Sequence, residues 1–507
     1  SLAPVAGPVN CAARLCRRIV PPGRAIAVAR GRAGGARAWG FPQLDRACKE
    51  PSAAASLGVT AEHRLQRCRV RGRGGSSAPL RLPARGQGTR RRVGMKQVIG
   101  ILVVVVATVV GASSARAACT DPSETFVTTV TRTFSTGSAF SIGVSRRTCE
   151  GLAIGPVVYT PSGGSPQTVL FSGTIAEVHV PYHTGAPRFL DTTESTNGLG
   201  AGAVALAAAE CAGTLFDGNR ICVQNADGGY GWKFQSSFRT AQAIEIFMSS
   251  QLGQYNYINK WTFHDDGSIE PEVGLTGRLQ ELGFTTGYLP YGTQLNPAGA
   301  ATPTVGKSHM HNFYYRLDFD IGGSANDAVA RLSFNPGGSG GGASPDSPCS
   351  VSGQCGFNTQ TQLLTEQAQS FSSFGQTSWV VYDKLIVNAD GRSIGYEIEP
   401  KITGQWRGMT TTSEPWSSAD LWVTTYNPCE RYAVANVAPH LDASCGTPAA
   451  NVTQMANGDP VDGVDLVVWY VNRFQHVPRD ENQLNMPIEW TGFTIEPRSF
   501  FFQNPAP

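Results

Sequence analysis

From about residue 126 onward, short apolar runs alternate with turn formers. "FVTTVTRTF", "GPVVYTP", "AEVHVPY", "YYRLDFDI", "SWVVYDKLIV", "ADLWVTTY", "VDLVVWYV" and "TGFTIEP" recur between Gly-, Pro-, Asn- and Asp-rich stretches. Runs rich in β-branched and aromatic residues, bounded by such punctuation, predict strands. Only "AGAVALAAAEC" (residues 201–211) carries a helical pattern, and a weak one. The pattern predicts an all-β protein, a single large β-sandwich with few short helices rather than several small domains. The Gly/Ser stretch "NPGGSGGGASPDSPC" (335–349) reads as a surface insertion closed by Cys349 and Cys355. There is no internal repeat.

The front of the chain has a different character. Residues 1–94 are rich in Arg, Gly and Ala without hydrophobic periodicity, and read as a disordered leader. Upstream sequence that is never translated is the favoured source, because the first Met, Met95, opens a well-formed signal; a transit-like leader is the alternative. In "MKQVIGILVVVVATVVGASSARAACT", Lys96 gives a charged start. The apolar run Ile99–Ala112 is short for a membrane span, and "ARA" supplies the small residues of a cleavage site. The expectation is a signal peptide over 95–117, a mature domain over 118–507 and secretion; a membrane anchor is the competing reading. Charge divides at the same point. Residues 1–117 hold 21 Lys and Arg against three acids, and residues 118–507 hold 20 against 35. The overall +3 is therefore a sum of opposite halves and gives no argument for nucleic acid. Export accounts for the eight cysteines after residue 117, whose consecutive pairing would close four short loops. "NVT" at Asn451 is a glycosylation acceptor in a eukaryotic secretory route.

Candidate chemistry gathers in "KSHMHNFYYRLDFDIGG" (307–323). Residues two apart on a strand share a face, so His309 and His311 can converge on one point, and Asp318 and Asp320 on another. Two imidazoles suit copper, zinc, iron or nickel and need a third ligand from elsewhere. His476, in "WYVNRFQHVPRDE", directly follows a strand-like run. Alone, His-x-His is equally a solvent-facing pair. His179 and His183 flank a strand and read as packing or surface residues. No Ser/His/Asp arrangement supports hydrolysis at a zinc site.

Taken together, the segments resemble the catalytic domain of the copper amine oxidases, from about "GLAIGPVVYT" to "FFFQNPA". "HMHNFYYRLDFDIGGSAN" resembles that family's His-x-His strand. "VDLVVWYVNRFQHVPRDENQLNMPIEWTGF" resembles the stretch bearing its third copper histidine. "WKFQSSFRT", "FHDDGSIEPEVGLTG", "GYEIEP" and "DLWVTTYNPCERYA" have counterparts in the same order. The resemblance implies copper on His309, His311 and His476. It implies a second cation, usually calcium, on the side chains of Asp318, Asp320 and Asp465 and the carbonyls of Phe319 and Leu466, hard oxygen donors that suit it.

The family's cofactor, topaquinone, is made from a tyrosine of the chain. The matching stretch is "QLGQYNYINKW", which places Tyr255 at the quinone position with Tyr257 and Trp261 around it. The surroundings depart from the family: Gln251 stands for Thr, Gln254 for Asn and Asn256 for an acid. "TIAEVHVPYHTGAPRFLDTTESTNGLG" resembles the segment carrying the base, and implies Asp191 in that role with Tyr182 hydrogen-bonded to the quinone. There the family's Asp-x-Gly-Glu/Asp-Tyr-Gly has become "DTTESTNG", and the loop is shorter. "ECAGTLFDGNRICVQ" resembles a family disulfide loop and implies Cys211–Cys222. Members usually carry two smaller α/β domains before the catalytic one; about 30 mature residues precede "TCEGLAIG", so the catalytic domain alone is expected. Members are homodimers, and one is expected here. The implied activity is conversion of primary amines and oxygen to aldehydes, ammonia and hydrogen peroxide. The alternative is a non-catalytic secreted copper-binding β-sandwich with an unmodified Tyr255. Neither reading involves nucleic acid or a stable membrane anchor.

Overall fold

The structure, a computed structural model, describes residues 126–193, 198–296, 301–336, 356–372, 376–401 and 413–506. All lie in the compact unit Val105–Pro507. The leader, the signal segment, Cys119 and the Cys349–Cys355 insertion fall outside the described residues.

The predicted strands assemble, antiparallel throughout, into two large sheets and a small one. The nine-stranded sheet runs Thr128–Thr133, Ala139–Arg147, Gly151–Thr160, Gln167–Pro181, His309–Phe319, Leu466–His476, Leu421–Thr425 and Gln367–Gln369, with Arg188–Leu190 beside Gln167–Pro181. The ten-stranded sheet runs Gly356–Leu363, Asp327–Pro336, Thr377–Val387, Ser393–Pro400, Met486–Arg498, Ile269–Gly277, Tyr255–His264, Ser237–Leu252, Ile221–Phe234 and Thr214–Phe216. Glu281–Gly283, Thr304–Lys307 and Gly292–Leu295 form the third.

The two large sheets pack face to face through aromatic side chains. Phe493 of one meets Tyr470 and Tyr315 of the other, with ring centroids 4.4 and 4.9 Å apart. Trp261 lies edge-on to Tyr315 at 6.0 Å and fills the space above Gly173, where a Cβ would stand 2.6 Å from the indole. Aromatic pairs of this kind add to the area they bury.

All eleven residues of His309–Phe319 are buried, because both faces of this central strand are covered. Phe313, Tyr315, Leu317 and Phe319 join the core between the sheets, whereas Tyr314 joins an outer cluster with Trp422, Val467 and Trp469. Ala433, Val452 and Met455, from the segment that crosses this outer face, complete that cluster. Odd-numbered residues thus face inward and even-numbered ones outward, as the period of two requires.

Two expectations are corrected. The segment 201–211 is not a helix: helix covers only Gly198–Ala201, with a three-residue 3-10 turn at Ala208–Glu210. Its alanines cannot cover a core with one face, and only Leu206 and Cys211 are buried. The backbone instead pairs with neighbours, Val204 N donating to Ser249 O and Gln251 N to Gly202 O. The Asn451 acceptor is buried, and its Oδ1 caps a short helix by accepting from the Thr453 amide and hydroxyl. Burial of this side chain, rather than the cap, leaves little room for a glycan. Cys211–Cys222 and Cys429–Cys445 are bonded as consecutive pairs, and Cys149 is also disulfide-bonded. Among the described residues no helix is long and apolar enough to cross a membrane.

Candidate metal and redox site

Strand register builds the site. His309 stands directly opposite His476 on the neighbouring antiparallel strand, and His311 opposite Phe474. All three imidazoles are buried, and each offers a nitrogen within 4.8 Å of the others. Tyr255 comes from the facing sheet. It opens the strand Tyr255–His264 after a two-residue turn whose first position, Gly253, has φ +59°; glycine takes that conformation without steric cost. The Tyr255 hydroxyl lies 2.8 Å from His309 Nε2 and 2.7 Å from His476 Nδ1.

Neighbouring groups decide which nitrogen of each ring is free. His309 Nδ1 donates to the Lys307 carbonyl at 2.9 Å, leaving Nε2 as the lone-pair atom. His476 Nε2 donates to Asn482 Oδ1 at 3.4 Å, leaving Nδ1. The Tyr257 hydroxyl donates to Asp191 Oδ2 at 2.9 Å. That hydroxyl therefore accepts from His311 Nδ1, 3.3 Å away, and His311 Nε2 is left buried with no partner. A ligating histidine ordinarily has its other nitrogen held in this way. Burial, the largest cause in each ring, keeps all three neutral: His309 is lowered to about 3, His311 falls well below the ordinary range and His476 is also lowered. Two lone-pair nitrogens converge on a Tyr255 hydroxyl with a single proton, beside a third lone pair with nothing to bind. A three-nitrogen ion such as copper(II) resolves that arrangement, so the donor set fits the metal.

The other sequence-predicted residues meet around the same point. Tyr257 stacks on Tyr255 at 5.9 Å, and Trp261 lies farther along the strand in the core. Tyr182 stacks on His309 at 4.5 Å, with the Lys307 ammonium 4.6 Å from the centroid of the Tyr182 ring. Among the described residues no hydrogen bond joins Tyr182 to Tyr255, so the expected bond is not made to the phenol. Asp191, Tyr255, Tyr257, Tyr182 and His311 line one cavity of about 470 Å³. Burial raises Asp191 to about 7, against the lowering effect of its bond from Tyr257. The buried Glu177 anchors the backbone beside Asp191, accepting from Thr192 N and the Thr193 hydroxyl. His179 points elsewhere, to Glu414 at 3.2 Å.

The carboxylates gather at the far end of the same strand. From His309 to Asp318 is about 30 Å at the usual strand rise. Asp318, Asp320 and Asp465 bring oxygens within 4.8 Å of one another. Phe319 pairs with Leu466 in register, so the two backbones run side by side there. Asp327 had no sequence signal: it is fully buried, and burial with Asp320, Asp383 and Asp465 raises it to about 9, against the lowering effect of the Ile321 backbone. Asp318 also faces the buried Arg316 guanidinium at 3.4 Å; gathered hard oxygen donors of this kind suit a cation such as calcium. Asn482, Glu177 and Asp327 were all missed for the same reason: tertiary contacts alone give them their neighbours.

Fold and site define a β-sandwich metalloprotein with a three-histidine centre of copper type beside a buried phenol. The family model for the copper amine oxidase enzyme domain matches residues 136–507, and the chain belongs to that family. A tobacco (Nicotiana tabacum) copper-containing peroxisomal diamine oxidase is 27% identical over 403 residues, covering 72% of this chain and 49% of that protein. Histamine oxidase of Arthrobacter globiformis is 26% identical over 395 residues, covering 70% and 54%. The chain thus spans about half the length of the curated relatives it matches. The crystal structure of a copper-containing benzylamine oxidase from Hansenula polymorpha superposes with a TM-score of 0.63 at 20% identity, covering 76% of this chain and 63% of that one.

The site predicts one copper per chain on reloading of metal-free protein. His476→Ala removes a ligand, and elemental analysis after gel filtration should then find well under half that amount. Full copper occupancy in the variant would show that the ion sits elsewhere.

Proposed function

We propose that the chain oxidises primary amines to aldehydes, with release of ammonia and reduction of oxygen to hydrogen peroxide. The observation that carries the reading is the Tyr255 hydroxyl, held between His309 Nε2 and His476 Nδ1 on the wall of the cavity that holds Asp191. Copper with a quinone made from Tyr255 would supply the redox chemistry, in which one amine, one oxygen and one water give one aldehyde, one ammonia and one peroxide. The chain supplies placement and proton handling. Tyr257 orients the Asp191 carboxylate through its 2.9 Å bond, and Glu177 fixes the backbone behind it. With Asp191 at about 7, its deprotonated form is present near neutrality and its basicity is high for a carboxylate, which suits removal of a proton from the substrate α-carbon. Tyr182, stacked on His309, closes the wall above the reacting ring. In the same reading the protein is secreted and homodimeric. Its disulfides suit an oxidising compartment, and the hairpin Ile221–Phe234/Ser237–Leu252 presents exposed Tyr230, Phe234 and Phe238 that a second copy would cover. The carboxylate cluster holds calcium.

Copper-loaded, aerated protein should give a quinone-directed redox stain and amine-dependent peroxide, both absent from Tyr255→Phe. Asp191→Asn should keep the stain and lower kcat/KM by about 100-fold or more. Wild-type kcat/KM should fall as pH drops through about 7, where Asp191 takes up its proton. No stain and no peroxide would leave the non-catalytic copper-binding reading. Calcium at about a hundredfold its dissociation constant should add about 2.7 kcal/mol of stability, read by thermal melting, and Asp465→Asn should lose that gain. An equal gain in the variant would remove the calcium assignment. Sedimentation of protein recovered from culture medium should give the mass of two chains; a single-chain mass rules out the dimer.

A further inference from the structure

We infer that the amine pocket selects substrates with an anionic far end over diamines, and that Arg278 is the residue that does so. The inference rests on the oxidase reading above and names its substrate class. Arg278 lines the cavity that holds Asp191 and Tyr255. Its position follows from the strand that carries it. Gly277 pairs with Tyr255 across the sheet and has φ +110°; a Cβ there would stand 2.3 Å from the Gln254 carbonyl. Only glycine lets this strand close on the turn before Tyr255. The next residue, Arg278, donates its amide to that same carbonyl at 2.9 Å. The guanidinium therefore leaves the backbone beside the reacting tyrosine. It is solvent-exposed and has no ion-pair partner among the described residues.

Charge on the wall is one-sided. Asp191 is the only acid among the described lining residues, and the base role occupies it. A second ammonium on the substrate would find no counter-ion and would feel Arg278. A carboxylate would instead meet the guanidinium fork together with the amides of Gln251, Gln254 and Gln280, which line the same cavity. Arginine is well matched to carboxylates, and amides can complete the set of donors. A partly solvated charge contact of this kind is worth about tenfold in discrimination.

Three amines of equal length test this: ε-aminocaproate, hexylamine and hexamethylenediamine. Peroxide-coupled kcat/KM should fall in that order, about tenfold or more from first to last. Arg278→Gln should level the series and Arg278→Glu should invert it. Binding of the same three amines, read by saturation-transfer NMR on copper-loaded protein, should follow the same order without turnover. Ordered binding without peroxide from any amine would overturn the oxidase reading and keep the pocket assignment. A diamine preferred by wild type, or one order shared by wild type and Arg278→Glu, would overturn the inference about Arg278.

Discussion

Everything at the centre of this protein depends on the register between His309–Phe319 and Leu466–His476. His309 opposite His476 brings two distant parts of the chain to one point, and the period of two delivers His311 beside them. A slip of one residue would turn the imidazoles of one strand to the outer face. Two buried faces prevent that slip. Inward, Tyr315, Tyr470 and Phe493 lock the sheets together; outward, Tyr314, Trp422 and Trp469 pack under the crossing segment. Tyr255 arrives from the opposite sheet, so the distance between phenol and imidazoles is fixed by the thickness of this aromatic core. Stability and site geometry are the same set of contacts.

Burial then does opposite things to acids and bases, and both results suit the proposed chemistry. It lowers the three histidines, so their lone pairs stay free at neutral pH, and it raises Asp191 to about 7. Neither effect needs a special charge nearby, because removal of water penalises whichever form is charged. What the neighbours add is direction. The Lys307 carbonyl, Asn482 and Tyr257 each hold one nitrogen, and by elimination aim the other at the common point. Tyr257 does this while also donating to Asp191, so one hydroxyl couples the orientation of His311 to that of the proposed base.

Much of this was legible in the sequence where the signal was periodic. The eight β-rich runs lie in strands or overlap them, and the His-x-His spacing placed two imidazoles on one face. Resemblance, rather than periodicity, singled out His476 and Tyr255, since nothing local ties residue 476 to residue 309. The helical reading of 201–211 failed because alanine propensity is weak beside backbone pairing with Ser249 and Gln251. Asn482, Glu177, Asp327 and Arg278 were silent for a different cause. Each is an ordinary polar residue locally and acquires its partners only when the strands assemble.

The departures around Tyr255 divide by the same geometry. Residues alternate along Tyr255–His264, with Tyr255, Tyr257 and Trp261 buried inward and Asn256 half-buried on the other face. Asn256 reaches toward Ser249, 3.5 Å away on the adjacent strand, and does not line the cavity. The acid expected there by resemblance would have put its charge on that outer side, away from the phenol. Gln251 and Gln254 are different: Gln251 is next to last in the strand before the turn, Gln254 is the second residue of the turn, and both form part of the cavity wall. The substitution with the more drastic change of charge is therefore on the face away from the phenol, and the two that keep neutral polarity line the pocket. Two of the three changes in this stretch thus fall on the cavity wall, while the three imidazoles and the phenol keep the contacts that define them.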